Sequence, residues 1–459
     1  MPTRFAFRPS LSWLLLCLLL AVLWVAGGSA RADVLGQPVV RGAAVMAILA
    51  VVLFDKPPNF GELRPIWLLI GAAASLTLLQ LVPLPPSVWQ AMPGRAILQE
   101  SASLLGVPQP WRPLSMSPSA TLNAAASLLV PGAVLLLLAG TKAEERQGLP
   151  GVLLVVIAAS MLIGLLQFSG ALLDNPFINE TRGEVAGSFA NRNHFALFMA
   201  IGCLVVPAWV FGGGRMAYWR LAAGSGLVIL FLLSILASGS RAGLVLGPVA
   251  LVIGMALAWR SVRRELRGFP TWATWAVTAC FILMVGVFVG LSRAAGRAAS
   301  IDRVISIDVG EDMRARAFPT IISMTKQYFP FGAGLGTFDP VFRLNEPFAL
   351  LKPTYLNHAH NDLIEIVLDA GLLGGVLLAV ALGWWAWAGI LSWRSGRGGA
   401  SLLPRLGSGV IFLILLASAV DYPARTPMMM AVLVMAGAWL CRPWSDPSGP
   451  ALPRNRQHL

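Results

Sequence analysis

About a dozen apolar stretches separated by short polar segments run through this chain, and no other feature limits its fold as severely. Roughly 17 to 25 apolar helical residues cross the hydrocarbon core of a bilayer, where a helix satisfies its own backbone polar groups. Stretches of that kind are predicted near residues 11–28, 39–54, 65–83, 119–140, 150–171, 194–212, 219–238, 242–259, 272–292, 364–391, 408–420 and 426–441. With 57% hydrophobic and 12% charged residues and a mean hydropathy of +0.73, the chain carries more apolar surface than it can cover without lipid. The expected fold class is an all-α polytopic membrane protein of about 12 transmembrane helices, a single integral membrane domain over residues 1–459. Its 46 Gly and 32 Pro fit that class, because small residues let membrane helices approach and neighbouring helices compensate a proline. Cys17, Cys203, Cys280 and Cys441 fall in or at the end of different apolar runs without metal-ligand spacing, so no disulfide is expected.

Arg4, Arg8, the first apolar run and Ala30-Arg31-Ala32 together imitate a cleavable secretory signal. An uncleaved first span is the expected reading and cleavage the alternative; neither alters the remaining topology. Orientation follows from Lys and Arg in the short loops. With a cytoplasmic N-terminus, Trp259 to Arg267, Ser392 to Arg397 and the tail 442–459 fall inside, and nearly all of the +13 net charge lies on that side. The basic pI of 10.7 therefore reports topology and contact with anionic lipid; no nucleic-acid-binding module accompanies it. Two segments on the opposite side are long, 84–118 and 293–363 between the ninth and tenth spans. The second is rich in aromatic and apolar residues and is expected to fold over the membrane surface as a lid or roof.

On that side lie Asn191 to Ala196 (NRNHFA), Gly239 to Gly243 (GSRAG), Arg314, Asn357 to Asp362 (NHAHND) and Asp421 to Pro427 (DYPARTP). Arg241 stands where one span ends and the next begins, beside free backbone N–H groups that suit an anion. An arginine snorkelling from a helix end would occupy the same position. Arg314 follows Glu311 and Asp312 and could pair with them at a solvated surface. Three of the four histidines, His194, His358 and His360, sit in these polar motifs, and an imidazole suits a general base for a sugar hydroxyl. Asn361 reads as a helix N-cap, with Asp362, Glu365 and Asp369 on one helix face that could orient His360, hold an arginine, or simply compensate the helix dipole. His358, His360 and Asp362 have the ligand types of a divalent-metal site, but no further Cys or His cluster supports one, and no metal or cofactor is expected. The Gly-rich Phe331 to Phe338 (FGAGLGTF) lacks the glycine spacing and strand context of a nucleotide fold and predicts a tight turn.

Taken in order, Gln80 to Arg95, Arg112 to Asn123, Gly187 to Ala196, Ser238 to Gly243, Arg314 to Phe338, His358 to Glu365 with Asp369 to Gly375, and Val420 to Pro427 resemble the O-antigen ligase and polymerase superfamily of bacterial membrane glycosyltransferases. The resemblance implies a GT-C-like, metal-independent inverting transferase in the bacterial inner membrane, multi-pass, with its active site facing the periplasm. Its donor would be an undecaprenyl-diphosphate-linked glycan. Its acceptor would be a hydroxyl of lipid A core, of another glycan repeat, or of a protein. By the same resemblance Arg241 and Arg314 match the diphosphate-binding arginines and His360 the catalytic histidine. Asn191, Arg192, Asn193, His194, His358 and Asn361 are expected to contact substrate, with helix capping the alternative for the NRNH segment. The chain departs from the family at Phe318, where Trp is frequent, and at Leu363, where Tyr is frequent. An O-antigen ligase is the expected activity, with a polysaccharide polymerase or a protein O-oligosaccharyltransferase as alternatives. A non-enzymatic lipid-linked-glycan flippase would favour charges buried at mid-span and internal repeats, and the sequence displays neither.

Overall fold

A computed structural model of the chain describes residues 9–171, 174–179, 183–211, 218–265, 313–351, 356–394 and 402–441, with isolated positions between 270 and 290. The span expected near 272–292 falls largely outside the described residues, as do Arg4 and Arg8, the stretch 291–312 with Glu311 and Asp312, and the tail 442–459. The helices are α1 Leu11–Ala26, α2 Gly36–Phe54, α3 Arg64–Leu79, α4 Pro86–Trp89, α5 Ala96–Leu104, α6 Pro118–Ser127, α7 Leu129–Gly140, α8 Ala143–Phe168, α9 Arg192–Phe211, α10 Tyr218–Ser238, α11 Arg241–Glu265, α12 Met313–Tyr328, α13 Phe338–Asn345, α14 Asp362–Arg394, α15 Leu402–Ser418 and α16 Pro427–Leu440. The sheet consists of β1 Pro83–Leu84 and β2 Arg112–Pro113, antiparallel, with Pro83 opposite Pro113.

Seven of these helices, taking α6 and α7 as the continuous run Pro118–Gly140, are long and apolar enough to cross a membrane, and α1, α3, α15 and α16 are shorter apolar helices. The chain is a multi-pass helical membrane protein. At its centre stands α9, in which every residue from His194 to Val206 is buried; α8, α10, α11 and α15 pack around it. Close approach depends on small residues. A Cβ on Gly243 of α11 would come within 2.7 Å of the Ala196 side chain of α9. The central helix thus delivers its first residues to a crowded mouth, where α8, α10 and α15 end and α11, α14 and α16 begin.

Over this mouth α12 and α13 form a second core: Ala317, Ile321, Met324 and Tyr328 of α12 pack with Phe338, Val341 and Phe342 of α13 and with Leu368 of α14. What seats this core is a break in α14. Gly371 adopts φ 58° and ψ −144°, which frees carbonyls that a continuous helix would have engaged. The glycine-rich loop supplies their donors: Ala333 N–H bonds Leu368 O at 2.9 Å and Gly334 N–H bonds Asp369 O at 2.8 Å. In return Leu372 N–H bonds Pro330 O at 2.8 Å. The expected tight turn is therefore a backbone rivet, and a Cβ on Gly371 would lie 2.1 Å from Pro330 O. The 84–118 segment is fastened to the same place. Buried Arg95 donates to Leu114 O at 2.7 Å and Gly332 O at 2.9 Å, and Met116 N–H bonds Ala333 O at 2.7 Å. Desolvation lowers the Arg95 pKa to about 10, still far above neutrality, so it remains a cation that ties three segments together.

Candidate active site

A cavity of about 1020 Å³ opens at the mouth. Asn191, Arg192, Asn193 and His194 from the start of α9 line it, with Arg241 from the start of α11, Arg314 and Phe318 from α12, and His360 and Asn361 ahead of α14. Eight of the nine site residues expected from the sequence thus border one space. The ninth, His358, lies behind the wall: its Nδ1 is 2.8 Å from Glu365 Oε1 and its ring packs on Tyr422 with centroids 4.5 Å apart. His358 and His360 turn to different carboxylates, and among the described residues no group of three or more His, Cys, Asp or Glu is arranged to hold a metal ion.

His360 is the only non-glycine described residue with positive φ, 51°. Such a conformation costs about 1–3 kcal/mol and persists only where the surroundings fix it. They do so on both sides. Ala359 N–H donates to Glu365 Oε2 at 2.7 Å, while Asn361 Oδ1 accepts the N–H groups of Leu363 and Ile364, each at 3.1 Å, and caps α14. The Asn361 amide also donates to Ala419 O at 2.9 Å, pinning the loop to the end of α15. The imidazole Nδ1 lies 3.2 Å from Asp421 Oδ1, which leaves Nε2 for the cavity. Burial pulls the His360 pKa below the ordinary 6.5; Asp421 opposes the shift, while Arg314 and His358 reinforce it. The ring is therefore neutral at pH 7, the state a base requires.

Asp421, between α15 and α16, is the hub that reading of the sequence did not single out. Its side chain is 2% exposed and takes the amide of Asn193 at 2.6 Å, the amide of Asn191 at 3.3 Å and the ring of His360. His194 Nε2 approaches to 3.8 Å and Arg314 Nη2 to 3.9 Å. Burial alone would raise this carboxyl, but the histidines and Arg314 hold it well below the usual carboxylate range. Its neighbour Tyr422 is pushed up to about 12 by burial and by the Asp421 charge, so it stays a neutral phenol. The Tyr422 ring also packs against the rings of His360 and His194, with centroids at 4.8 and 5.1 Å. Asp421 was hidden because an acidic residue in a short turn is ordinary; only its pairing with residues far along the chain marks it out.

The arginines are positioned by the same network. Ser240, fully buried, caps α11 by accepting Gly243 N–H at 3.0 Å and donates its hydroxyl to Asn193 Oδ1 at 2.7 Å. Because Asn193 also holds Asp421, the helix start bearing Arg241 is linked through two side chains to the carboxylate that orients His360. Arg241 is the first residue of that helix, where the positive end of the dipole adds to its own charge. Arg314 donates to Val420 O at 3.4 Å and keeps 41% of its side chain exposed. Its expected partners Glu311 and Asp312 lie outside the described residues. Arg192 meets Glu184 at 3.4 Å across the rim. At the two departures noted in the sequence, Phe318 faces this cavity, whereas Leu363 faces an apolar groove on the other side of the α14 start.

The acidic face of α14 collects Arg425, which lies 3.0 Å from Asp362, 3.2 Å from Glu365 and 3.8 Å from Asp369. Of the possibilities left open by sequence, this face holds an arginine, and the carboxylate on His360 comes from elsewhere. No curated protein matches the chain. Residues 226–379 match the family model described as O-Antigen ligase, a segment running from α10 into α14 that contains Arg241, Arg314 and His360. Over that third of the chain, the protein is therefore similar to the O-antigen ligase family of membrane enzymes.

Proposed function

We propose that the protein transfers a glycan from an undecaprenyl-diphosphate carrier to an acceptor hydroxyl at the periplasmic face of the inner membrane, as an O-antigen ligase does. The observation that carries this reading is the meeting of Arg241, Arg314 and His360 at one cavity although they come from three separate segments. In the proposed step His360 Nε2 takes the proton of the acceptor hydroxyl while that oxygen attacks the anomeric carbon. The bond from the anomeric carbon to the diphosphate oxygen breaks, with inversion. The negative charge growing on the diphosphate is met by the guanidinium groups of Arg241 and Arg314 and by the N-terminus of α11. Asp421 holds Nδ1 of His360, fixing the tautomer and stabilising the imidazolium formed in the step.

Asn191 and Asn193 keep Asp421 in place, and Arg192 and Asn361 border the space left for sugars. The step needs neither a metal ion nor a nucleotide sugar. The test is incubation of purified protein with undecaprenyl-diphosphate glycan and, in separate reactions, lipid A core, a second lipid-linked repeat and a hydroxyl-bearing peptide, each with chelator present. Transfer to lipid A core that persists in chelator is expected. Transfer only to another repeat or to peptide would move the protein to the polymerase or protein-glycosylating branch, and no transfer to any acceptor would end the proposal.

A further inference from the structure

The left-handed conformation of His360 requires a restraint that the reaction itself does not use. On the side preceding His360, the hydrogen-bonded restraint on the main chain is the Glu365 carboxylate, beside the packing of the His358 ring on Tyr422. Glu365 is fully buried; one oxygen accepts Ala359 N–H at 2.7 Å, and the other faces His358 Nδ1 at 2.8 Å and Arg425 Nη1 at 3.2 Å. An ionised carboxylate buried in this way is untenable without a cation, and Arg425 is the guanidinium against it. Arg425 is in turn fixed by Asp362 at 3.0 Å, whose second oxygen takes the Ser418 hydroxyl at 2.9 Å.

We propose that Glu365 and Arg425 are positioning residues for His360, acting as a buried clamp on the backbone just before it. The clamp and the ring partner come from one short segment: Asp421 holds the imidazole, and the turn Pro423–Arg425 immediately after it brings in the guanidinium. Asp421, Tyr422 and Arg425 thus set the side chain and the main chain of the histidine together. A purely stabilising ion pair would not need its carboxylate bonded to the N–H of the residue preceding the strained one. The role assigned to the histidine rests on the glycosyl-transfer reading; the place where it is held does not.

The test compares wild type, Glu365→Gln, Glu365→Leu and Arg425→Lys. Three quantities are measured: kcat, KM for undecaprenyl-diphosphate glycan, and the pH dependence of His360 carbethoxylation followed by peptide mass spectrometry. Gln retains an acceptor for Ala359 N–H and is expected to lower kcat by about threefold, whereas Leu removes the clamp and is expected to lower it about 100-fold. Lys keeps the buried charge without the fork and should fall between them. Donor KM stays within about threefold throughout, and the carbethoxylation midpoint of His360 moves in the Leu and Lys variants. Should the Leu variant fail to yield monodisperse protein, the Lys and Gln variants decide the matter.

An unchanged His360 midpoint with kcat within about twofold of wild type in the Lys variant would overturn the clamp. So would variants that lose donor binding and kcat in parallel, since that pattern marks a merely structural role. If wild type itself transfers nothing, the glycosyl-transfer reading fails and the carbethoxylation midpoints alone decide the clamp.

Discussion

An imidazole kept neutral by its surroundings is ready to accept a proton at pH 7, and this gives His360 a specific acid limb. Its pKa lies below 6.5, so the unprotonated base is present at neutrality and is lost only as pH falls through that lower value. The kcat/KM profile is predicted to be flat around pH 7 and to fall on the acid side with a midpoint below 6.5; a midpoint above 6.5 would contradict the assignment. Asp421 raises the His360 pKa. Asp421→Asn should therefore move the midpoint still lower while reducing kcat by about 100-fold, because the imidazolium formed in the step loses its counter-charge. Their place between spans drew attention to Arg241, Arg314 and His360, but position alone also fitted a snorkelling arginine and a surface ion pair, and their expected roles came from the family resemblance. An arginine on the Glu365 face was one of the possibilities the sequence left open, but neither its identity as Arg425 nor the role of Asp421 was legible, since only the fold brings these segments together.

At the scale of the element, the helix over Asp362–Arg394 shows where reading from periodicity stops. The apolar run predicts a single span over 364–391, and the break at Gly371 leaves no mark in that pattern. Its physical cause lies in residues 330–334, which exchange backbone hydrogen bonds with the opened turn. Gly371→Ala would place a methyl 2.1 Å from Pro330 O in a left-handed residue. It is predicted to destabilise the protein by about 1–3 kcal/mol or more. Thermal unfolding in detergent checks this, with a clear fall in Tm expected and an unchanged Tm contradicting the rivet. The long helices agree closely with the predicted spans because length and hydropathy alone define them. The short β1–β2 pairing and the packing of α12 on α13 depend on distant contacts and were invisible.

Across the whole molecule, the polar segments share one mouth, and the proposed periplasmic reaction requires that mouth to face away from the cytoplasm, as the loop charge predicts. In a variant lacking its native cysteines, Glu184→Cys at the cavity rim is predicted to react with a membrane-impermeant maleimide in cells whose outer membrane alone is permeable. Arg260→Cys, near the opposite end of α11, should react only after the inner membrane is opened. The reverse pattern would place the cavity on the cytoplasmic side and remove it from a periplasmic reaction. Membrane class followed from composition and apolar run length; of the dozen predicted spans, seven correspond to helices long and apolar enough to cross a membrane and four to shorter apolar helices. The convergence of three segments on one cavity was an expectation that only three-dimensional packing could test.

Separating binding from turnover distinguishes the two arginines, proposed to bind the donor diphosphate, from His360, proposed to perform the proton transfer. Equilibrium binding of undecaprenyl-diphosphate glycan and single-turnover transfer are measured on wild type, His360→Ala, Arg241→Ala and Arg314→Ala. His360→Ala is expected to bind donor within about twofold of wild type yet to transfer about 100- to 10,000-fold more slowly, whereas either arginine variant is expected to weaken binding about 10- to 100-fold. A His360→Ala protein that transfers as fast as wild type, or arginine variants that bind donor unchanged, would contradict these roles.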